Sequence, residues 1–333
     1  MKTLTYLGPR KMELRDEPEP EPGPGQVRVR VAAAAICGSD LHGFREASPR
    51  RIPPLVMGHE VVGSVDAVGA SVPSSLVGSR VVVMPVVPCG RCARCREGAS
   101  NLCPERALMG ASFPGGFAEA CVIGSEQIRA VPGALSDAVA SLSEPYANAL
   151  HAVGRSVRRG DDVLVLGAGC IGLLATHAAI LAGATRVLVS DTVPNRLALA
   201  SGLGGEPLPA DGAAAQVEAE TNGQGVDVVI DAAGFPATWA LAVRAARTGG
   251  RIEAVGLGAA EGPLDYHGIV TKGLTVAGSY ACLPADFDRA LELLGAGEPK
   301  VDDWITTMPL SDGSAAFEAL VDGSELTKVV LVP

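Results

Sequence analysis

Four cysteines fall within fifteen residues, as Cys89-x2-Cys92-x2-Cys95-x7-Cys103. Four thiolates at this spacing can wrap one tetrahedral zinc with Zn–S bonds near ~2.3 Å, and a shell filled by protein sulfur is structural, not catalytic. An iron–sulfur cluster and free thiols are the alternatives; a single short loop favours zinc. Arg91, Arg94 and Arg96 flank the loop and are expected to help hold the thiolates ionised. Three separate segments offer a second donor set: Cys37-Gly38-Ser39-Asp40-Leu41-His42, Gly58-His59-Glu60 and Ser143-Glu144-Pro145. Each is weak on its own. A buried His59 is more often a core histidine, and Glu144 can simply open a helix, where a carboxylate suits the dipole. Successive strand residues point to opposite faces, so His59 and Glu60 can share an ion only if the backbone bends.

A different chemistry is written in Val163-Leu-Val-Leu-Gly167-Ala-Gly169-Cys-Ile-Gly172. This is a strand, a G-x-G-x-x-G turn and then an apolar helix. Gly167 allows the tight turn, Gly169 lets the backbone approach a pyrophosphate, and Gly172 lets helix and strand pack closely. The helix N-terminus then offers unpaired N–H groups to the phosphates. Asp191 ends the next strand. A carboxylate there can accept from ribose hydroxyls and repel a 2′-phosphate, which favours NAD over NADP. Arg196 could approach the adenine end and tolerate a phosphate; Asp191 could instead cap the helix at Asn195. Ile171, Val255, Leu257 and Ser279 complete the candidate cofactor residues.

Those groups need a frame. Val27–Ala35, Glu60–Val68, Arg80–Val83 and Phe117–Ile123 read as short strands, punctuated by Gly, Pro and Ser. Glu17–Pro24 reads as an extended surface connection. The pattern changes after Glu144, where Tyr146–Ser156 reads as a helix. Strands at 163–166, 186–190, 226–230, 251–255 and 274–277 then alternate with helices at 171–181, 195–201 and 237–246. Such alternation predicts a parallel sheet with helices on both faces. A helix at 287–294 and a strand at 328–332 close the chain. The predicted division is 1–145, 146–285 and a return segment 286–333.

With 333 residues, two domains are the prior. Hydrophobic residues make up 47% and aromatics only 4%, so Val, Ile, Leu and Ala must fill the cores. The net charge of -10, with no dense basic block, argues against nucleic acid and anionic membrane as partners. Val163–Ala184 carries no charged residue, yet its glycines suit a strand, turn and helix better than a membrane span. Met1–Arg15 has no apolar core of a signal peptide, so a cytoplasmic protein is expected. Clustered cysteines then point to metal, not disulfides. Cys121 and Cys282 read as small core residues and His151 as packing.

Taken together and in this order, the motifs resemble the zinc-containing medium-chain dehydrogenases. The match adds Gly115-Gly116-Phe117-Ala118-Glu119 and Gly249-Gly250-Arg251 and covers nearly the whole chain. The resemblance implies an α/β fold, with a GroES-like β domain, a Rossmann domain and a catalytic zinc in a cleft between them. It makes Cys37 and His59 the constant zinc ligands. The third ligand position, a cysteine in simple alcohol dehydrogenases, matches Glu144, as in sorbitol, threonine and galactitol-phosphate dehydrogenases. Glu60 is either a ligand or a group behind the ligands. Cys170 is not the missing ligand, because it lies in the dinucleotide turn.

The implied activity is NAD-linked oxidation of a secondary alcohol, such as a polyol, a sugar alcohol or a cyclitol, with two zincs per chain. Ser39 and His42 would relay the proton to solvent. Arg45, Arg50 and Arg51 would favour a phosphorylated or acidic substrate if they faced the site; a solvated loop is the expected alternative. A metal-free reductase of alkenes or quinones and a non-enzymatic nicotinamide-binding protein are the rival readings. The partner is a small molecule, and dimers or tetramers are expected.

Overall fold

Val27, Val29 and Val31 alternate with arginines, which is the period of a half-buried strand. In the computed structural model, which describes all 333 residues, they lie in the strand Gln26–Ala35 with the valines buried. Arg28 and Arg30 turn to the other face and pair with Asp66. This strand is the hub of a seven-stranded sheet. Glu60–Val68, Ala120–Gly124 and Lys328–Val332 all pair with it antiparallel. Arg80–Val83 and Ile128–Ala130 extend the sheet on one side, and Ile305–Pro309 extends it on the other. A hairpin, Lys2–Gly8 with Lys11–Asp16, forms a smaller sheet with Leu55–Val56. Phe317 packs against Phe44 at 5.1 Å and, edge-on, against Phe117 at 5.7 Å. All three rings are fully buried, and each such burial stabilises by about 2–3 kcal/mol. Phe44 thereby anchors the short helix Gly38–Arg45 to this core.

These elements make one compact unit, Met1–Glu144 with Leu283–Pro333; the other is Pro145–Cys282. In the second unit, Asp162–Leu166, Arg186–Asp191, Glu206–Pro209, Val226–Asp231, Ala246–Ala254 and Thr275–Gly278 pair only in parallel. Counted in chain order, the sheet runs 3-2-1-4-5-6. This is the doubly wound arrangement of dinucleotide-binding sheets, with its switch point beside the first strand. The segment Val163–Ala184 is a buried strand, a glycine turn and the helix Cys170–Leu181. No helix is long and apolar enough to cross a membrane.

Several expectations shift. The strand predicted from Phe117 begins at Ala120, because Gly115–Phe117 is held instead by Val56, Met57 and Gly58 carbonyls. Cys121 is buried, and burial pushes its thiol up to about 12. Cys282 is only half-buried, so it is not a core residue. The strand Glu206–Pro209 was not foreseen. It contains Pro207 and Pro209, which a strand tolerates at the sheet edge, where a missing N–H does no harm.

Candidate metal and dinucleotide sites

The four sulfurs of Cys89, Cys92, Cys95 and Cys103 lie within 4.8 Å of one another. Cys92 Sγ is 3.5 Å from Cys95 Sγ and 3.8 Å from Cys103 Sγ. Tetrahedral bonds of about 2.3 Å would put sulfurs about 3.8 Å apart, so the cage fits zinc. Cys92 caps the short helix Ala93–Arg96 and Cys95 lies within it, and the strands Val86–Val87 and Ala107–Leu108 pair beside it. The arginines make their direct contacts elsewhere, although Arg91 still feels the Cys89 thiol. Arg91 and Arg94 turn to Glu105 and Glu97, and Arg96 to the Arg91 carbonyl. Exposed guanidiniums find carboxylates more readily than half-buried sulfur. It is chiefly the main-chain N–H of Arg91 that lowers the Cys89 thiol to about 7, while burial raises Cys95 to about 12. A divalent cation would supply the charge that lets all four ionise.

Cys37, His59 and Glu60 form the second tight group, also within 4.8 Å. The required bend lies at Gly58, whose φ of +93° turns the chain just before the strand Glu60–Val68. A side chain at Gly58 would strike the Phe117 ring at 2.7 Å, so glycine is needed there twice over. Cys37 caps the helix Gly38–Arg45, and its N–H donates to Asp40 Oδ2 at 3.2 Å. His59 Nδ1 lies 3.4 Å from Asp40 Oδ1, so Nε2 is the nitrogen available to a metal. Burial alone would raise the Asp40 carboxyl, but His59 and Arg51 hold it down at about 2. Burial opposes a charged His59, yet Asp40 and Cys37 raise its pKa well above the ordinary value. A metal ion would take that proton's place. Glu144 is buried in the first turn of the helix Ser143–Ser156.

Two partners were missed by sequence reasoning. Lys328 is buried and pairs with Glu60 Oε2, while its Nζ also donates to the Ile36 carbonyl at 3.0 Å. The sheet brings it there, because Val330 and Glu60 both sit opposite Ala35. Burial pushes Glu60 up to about 7; Lys328 pulls it down and Glu144 pushes it up. The only signal was a lone lysine opening an apolar strand. Arg51 is the second. It was expected in a solvated loop, but it is 6% exposed and donates to Asp40 and Ser39. The buried Asp40 carboxylate draws it in. Arg50 is exposed, and Arg45 reaches Glu46 at 3.6 Å. His42 is half-buried, one turn beyond Ser39 on the same helix.

In the second unit Gly167 has φ +91° and makes the tight turn. A Cβ on Gly172 would lie 1.7 Å from the Gly167 carbonyl oxygen. At Gly169 a Cβ would meet no protein atom within 4 Å. Nothing in the protein demands glycine there, so the open space suits a ligand pressed against the backbone. Asp191 Oδ2 accepts from the Ala168 N–H inside the turn at 2.6 Å, and Oδ1 accepts from Val193 N–H at 2.8 Å. It therefore ties the turn to the second strand and does not cap Asn195. Arg196 and Ile171 are half-buried, and Leu257 is 61% exposed. Val255 follows the fifth strand, and Ser279, whose N–H donates to Ala254, follows the sixth. Tyr146 Oη meets His177 Nδ1 at 2.7 Å, a pairing with no sequence signal.

Two family models match the chain: the alcohol dehydrogenase GroES-like domain over residues 23–133 and the zinc-binding dehydrogenase domain over residues 170–296. Sorbitol dehydrogenase of Bacillus subtilis is 32% identical over all of this chain and 97% of its own length. A crystal structure from Escherichia coli CFT073, described as a short chain alcohol dehydrogenase complexed with NADH, has a TM-score of 0.92 at 32% identity, covering 100% of this chain and 99% of that one. A putative zinc-binding dehydrogenase from Sinorhizobium meliloti, bound to NADP, scores 0.90 at 32% identity with the same coverage.

Proposed function

The chain belongs to the zinc-binding medium-chain alcohol dehydrogenase family, and from that premise we propose that it oxidises a neutral secondary alcohol of the polyol or cyclitol kind with NAD. The convergence of Cys37, His59 and Glu60 within 4.8 Å carries this reading. We assign Cys37 and His59 as ligands of a catalytic zinc, with Glu144, the position the family resemblance implies, as the third. Glu60 completes the observed group, its carboxylate engaged by Lys328, and is either a further ligand or a group behind the ligands. Cys89, Cys92, Cys95 and Cys103 hold a structural zinc. A bound zinc would supply a Lewis acid that makes an alcohol hydroxyl easier to deprotonate, and a bound dinucleotide would supply the hydride acceptor.

The chain's own groups bind, orient and carry the proton. Ser39 Oγ accepts a hydrogen bond from the substrate hydroxyl and, on taking that proton, releases its own. His42, three residues along the same helix, carries it toward solvent. Gly167, Gly169, Ile171 and Gly172 receive the pyrophosphate, and Asp191 the adenosine ribose. Arg196, Val255, Leu257 and Ser279 line the rest of the dinucleotide site. Asp191 stands at the end of the second strand, where a carboxylate favours NAD over NADP.

A neutral substrate is supported by the one arginine that is buried: Arg51 is neutralised by Asp40. Arg45 and Arg50 are exposed, as in a solvated loop. The similarity to sorbitol dehydrogenase supports a polyol. The protein is also proposed to work as a homo-oligomer joined at its exposed sheet edge. Metal analysis of the purified protein should give two zincs per chain. A panel of polyols and polyol phosphates with NAD and NADP should show oxidation of the unphosphorylated members with NAD. Cys37→Ser should still bind NAD but lose turnover; unchanged turnover in that variant would sink the reading.

A further inference from the structure

Arg51 is a cation kept inside the protein beside the proposed proton-carrying group. The protein makes room for it. A side chain at Gly43 would lie 2.6 Å from Arg51 Cδ, so the helix Gly38–Arg45 leaves a gap where the arginine stem passes. One nitrogen, Nη2, donates to both Asp40 Oδ1 at 3.0 Å and Ser39 Oγ at 3.1 Å. Asp40 is itself fixed, since its Oδ2 accepts from the Cys37 N–H at 3.2 Å. The guanidinium is therefore clamped from one side and presents a fixed N–H to Ser39 on the other.

Resting on the reading in which Ser39 carries the substrate proton, we propose that Arg51 is a positioning residue that sets the direction of the Ser39 hydroxyl. A guanidinium has five donors and no acceptor, and a serine hydroxyl has one proton and two lone pairs. At this contact Ser39 can only accept. One lone pair is thereby occupied. The other remains for the substrate's proton, and the hydroxyl's own proton must point to the next acceptor. Arg51 also occupies Asp40 Oδ1, the neighbouring carboxylate oxygen that would compete for the Ser39 proton. The relay thus has one polarity before substrate arrives, and no reorientation is needed at the moment of transfer.

A double-variant cycle tests this on zinc-loaded enzyme with NAD and a secondary alcohol. The variants are Ser39→Ala, Arg51→Lys and both together; lysine keeps the charge beside Asp40 but not the fixed fork. Zinc content, circular dichroism, KM, kcat and the solvent deuterium isotope effect on kcat are measured for each. Arg51→Lys should keep its zinc and fold, lower kcat about tenfold with KM little changed, and raise the solvent isotope effect. In the Ser39→Ala background it should have no further effect on kcat. An equal loss in both backgrounds, a loss that tracks missing zinc, or no loss at all would overturn the role given to Arg51. If Ser39→Ala itself turns over normally, the relay reading fails first, whatever Arg51 does.

Discussion

His59 can offer a metal only one ring nitrogen, and Asp40 fixes which one. The carboxylate lies 3.4 Å from Nδ1 and is itself held by Arg51 and the Cys37 N–H. Carboxylates behind metal-bound histidines typically add 10–100-fold to affinity. Asp40→Asn should therefore weaken the catalytic zinc by about 10–100-fold while the four-cysteine zinc stays, as chelator competition with two separable release phases would show. The same pocket makes the metal-free chain sensitive to pH. Burial lifts Glu60 to about 7, and Asp40 and Cys37 lift His59 against the opposing effect of burial. Both groups bind protons more readily folded than unfolded. Their contribution is present below the unfolded values and is lost as pH rises through the folded ones. The melting temperature of the metal-free protein should fall between about pH 5 and pH 8. Zinc loading should remove that slope, because the ion replaces the proton. A slope that survives zinc loading would point elsewhere in the chain.

At the scale of elements, the glycine turn shows how local sequence sets a tolerance. Gly172 touches the Gly167 carbonyl so closely that a methyl group would sit 1.7 Å from that oxygen. Gly172→Ala must push the helix Cys170–Leu181 off its strand. It should weaken NADH binding by at least about tenfold in a fluorescence titration, with both zincs retained. The turn was readable because strand, glycines and helix are contiguous. The helix Gly38–Arg45 has no clear sequence signal, although Ser39 and His42 lie in it and Cys37 caps it. Eight residues with two glycines carry little helical propensity. Phe44 in the aromatic cluster and Asp40 at the helix start hold it in place. The hairpin Lys2–Gly8 with Lys11–Asp16 was missed for a related reason. Its register is set by pairing with distant Leu55–Val56 as well as by its own turn.

Over the whole molecule, the sixth strand, Thr275–Gly278, ends the parallel sheet with Val276 46% exposed. The neighbouring helix Tyr266–Lys272 leaves Tyr266 and Val270 exposed as well. An apolar, unpaired edge of this kind is a template for association unless it is covered. Val276→Glu should dissociate the proposed oligomer to the 33.8 kDa chain in sedimentation velocity, with the fold intact by circular dichroism. Dissociation would assign the edge; an unchanged assembly would place the interface elsewhere.

The sequence by itself determined the donor inventory and the dinucleotide turn. Cys89–Cys103 and Gly167–Gly172 are closed by residues a few positions apart, so their spacing alone constrains their geometry. It also determined the parallel sheet, because strands and helices alternate with clear periods. The tertiary structure decided what stands behind the ligands. Lys328 reaches Glu60 across 268 positions only because two strand registers meet at Ala35. Arg51 is buried because Gly43 leaves room and Asp40 supplies the charge. A charged side chain is read as solvated until its counter-ion is known. That counter-ion is set by which strand lies beside which, and composition and periodicity leave this choice open.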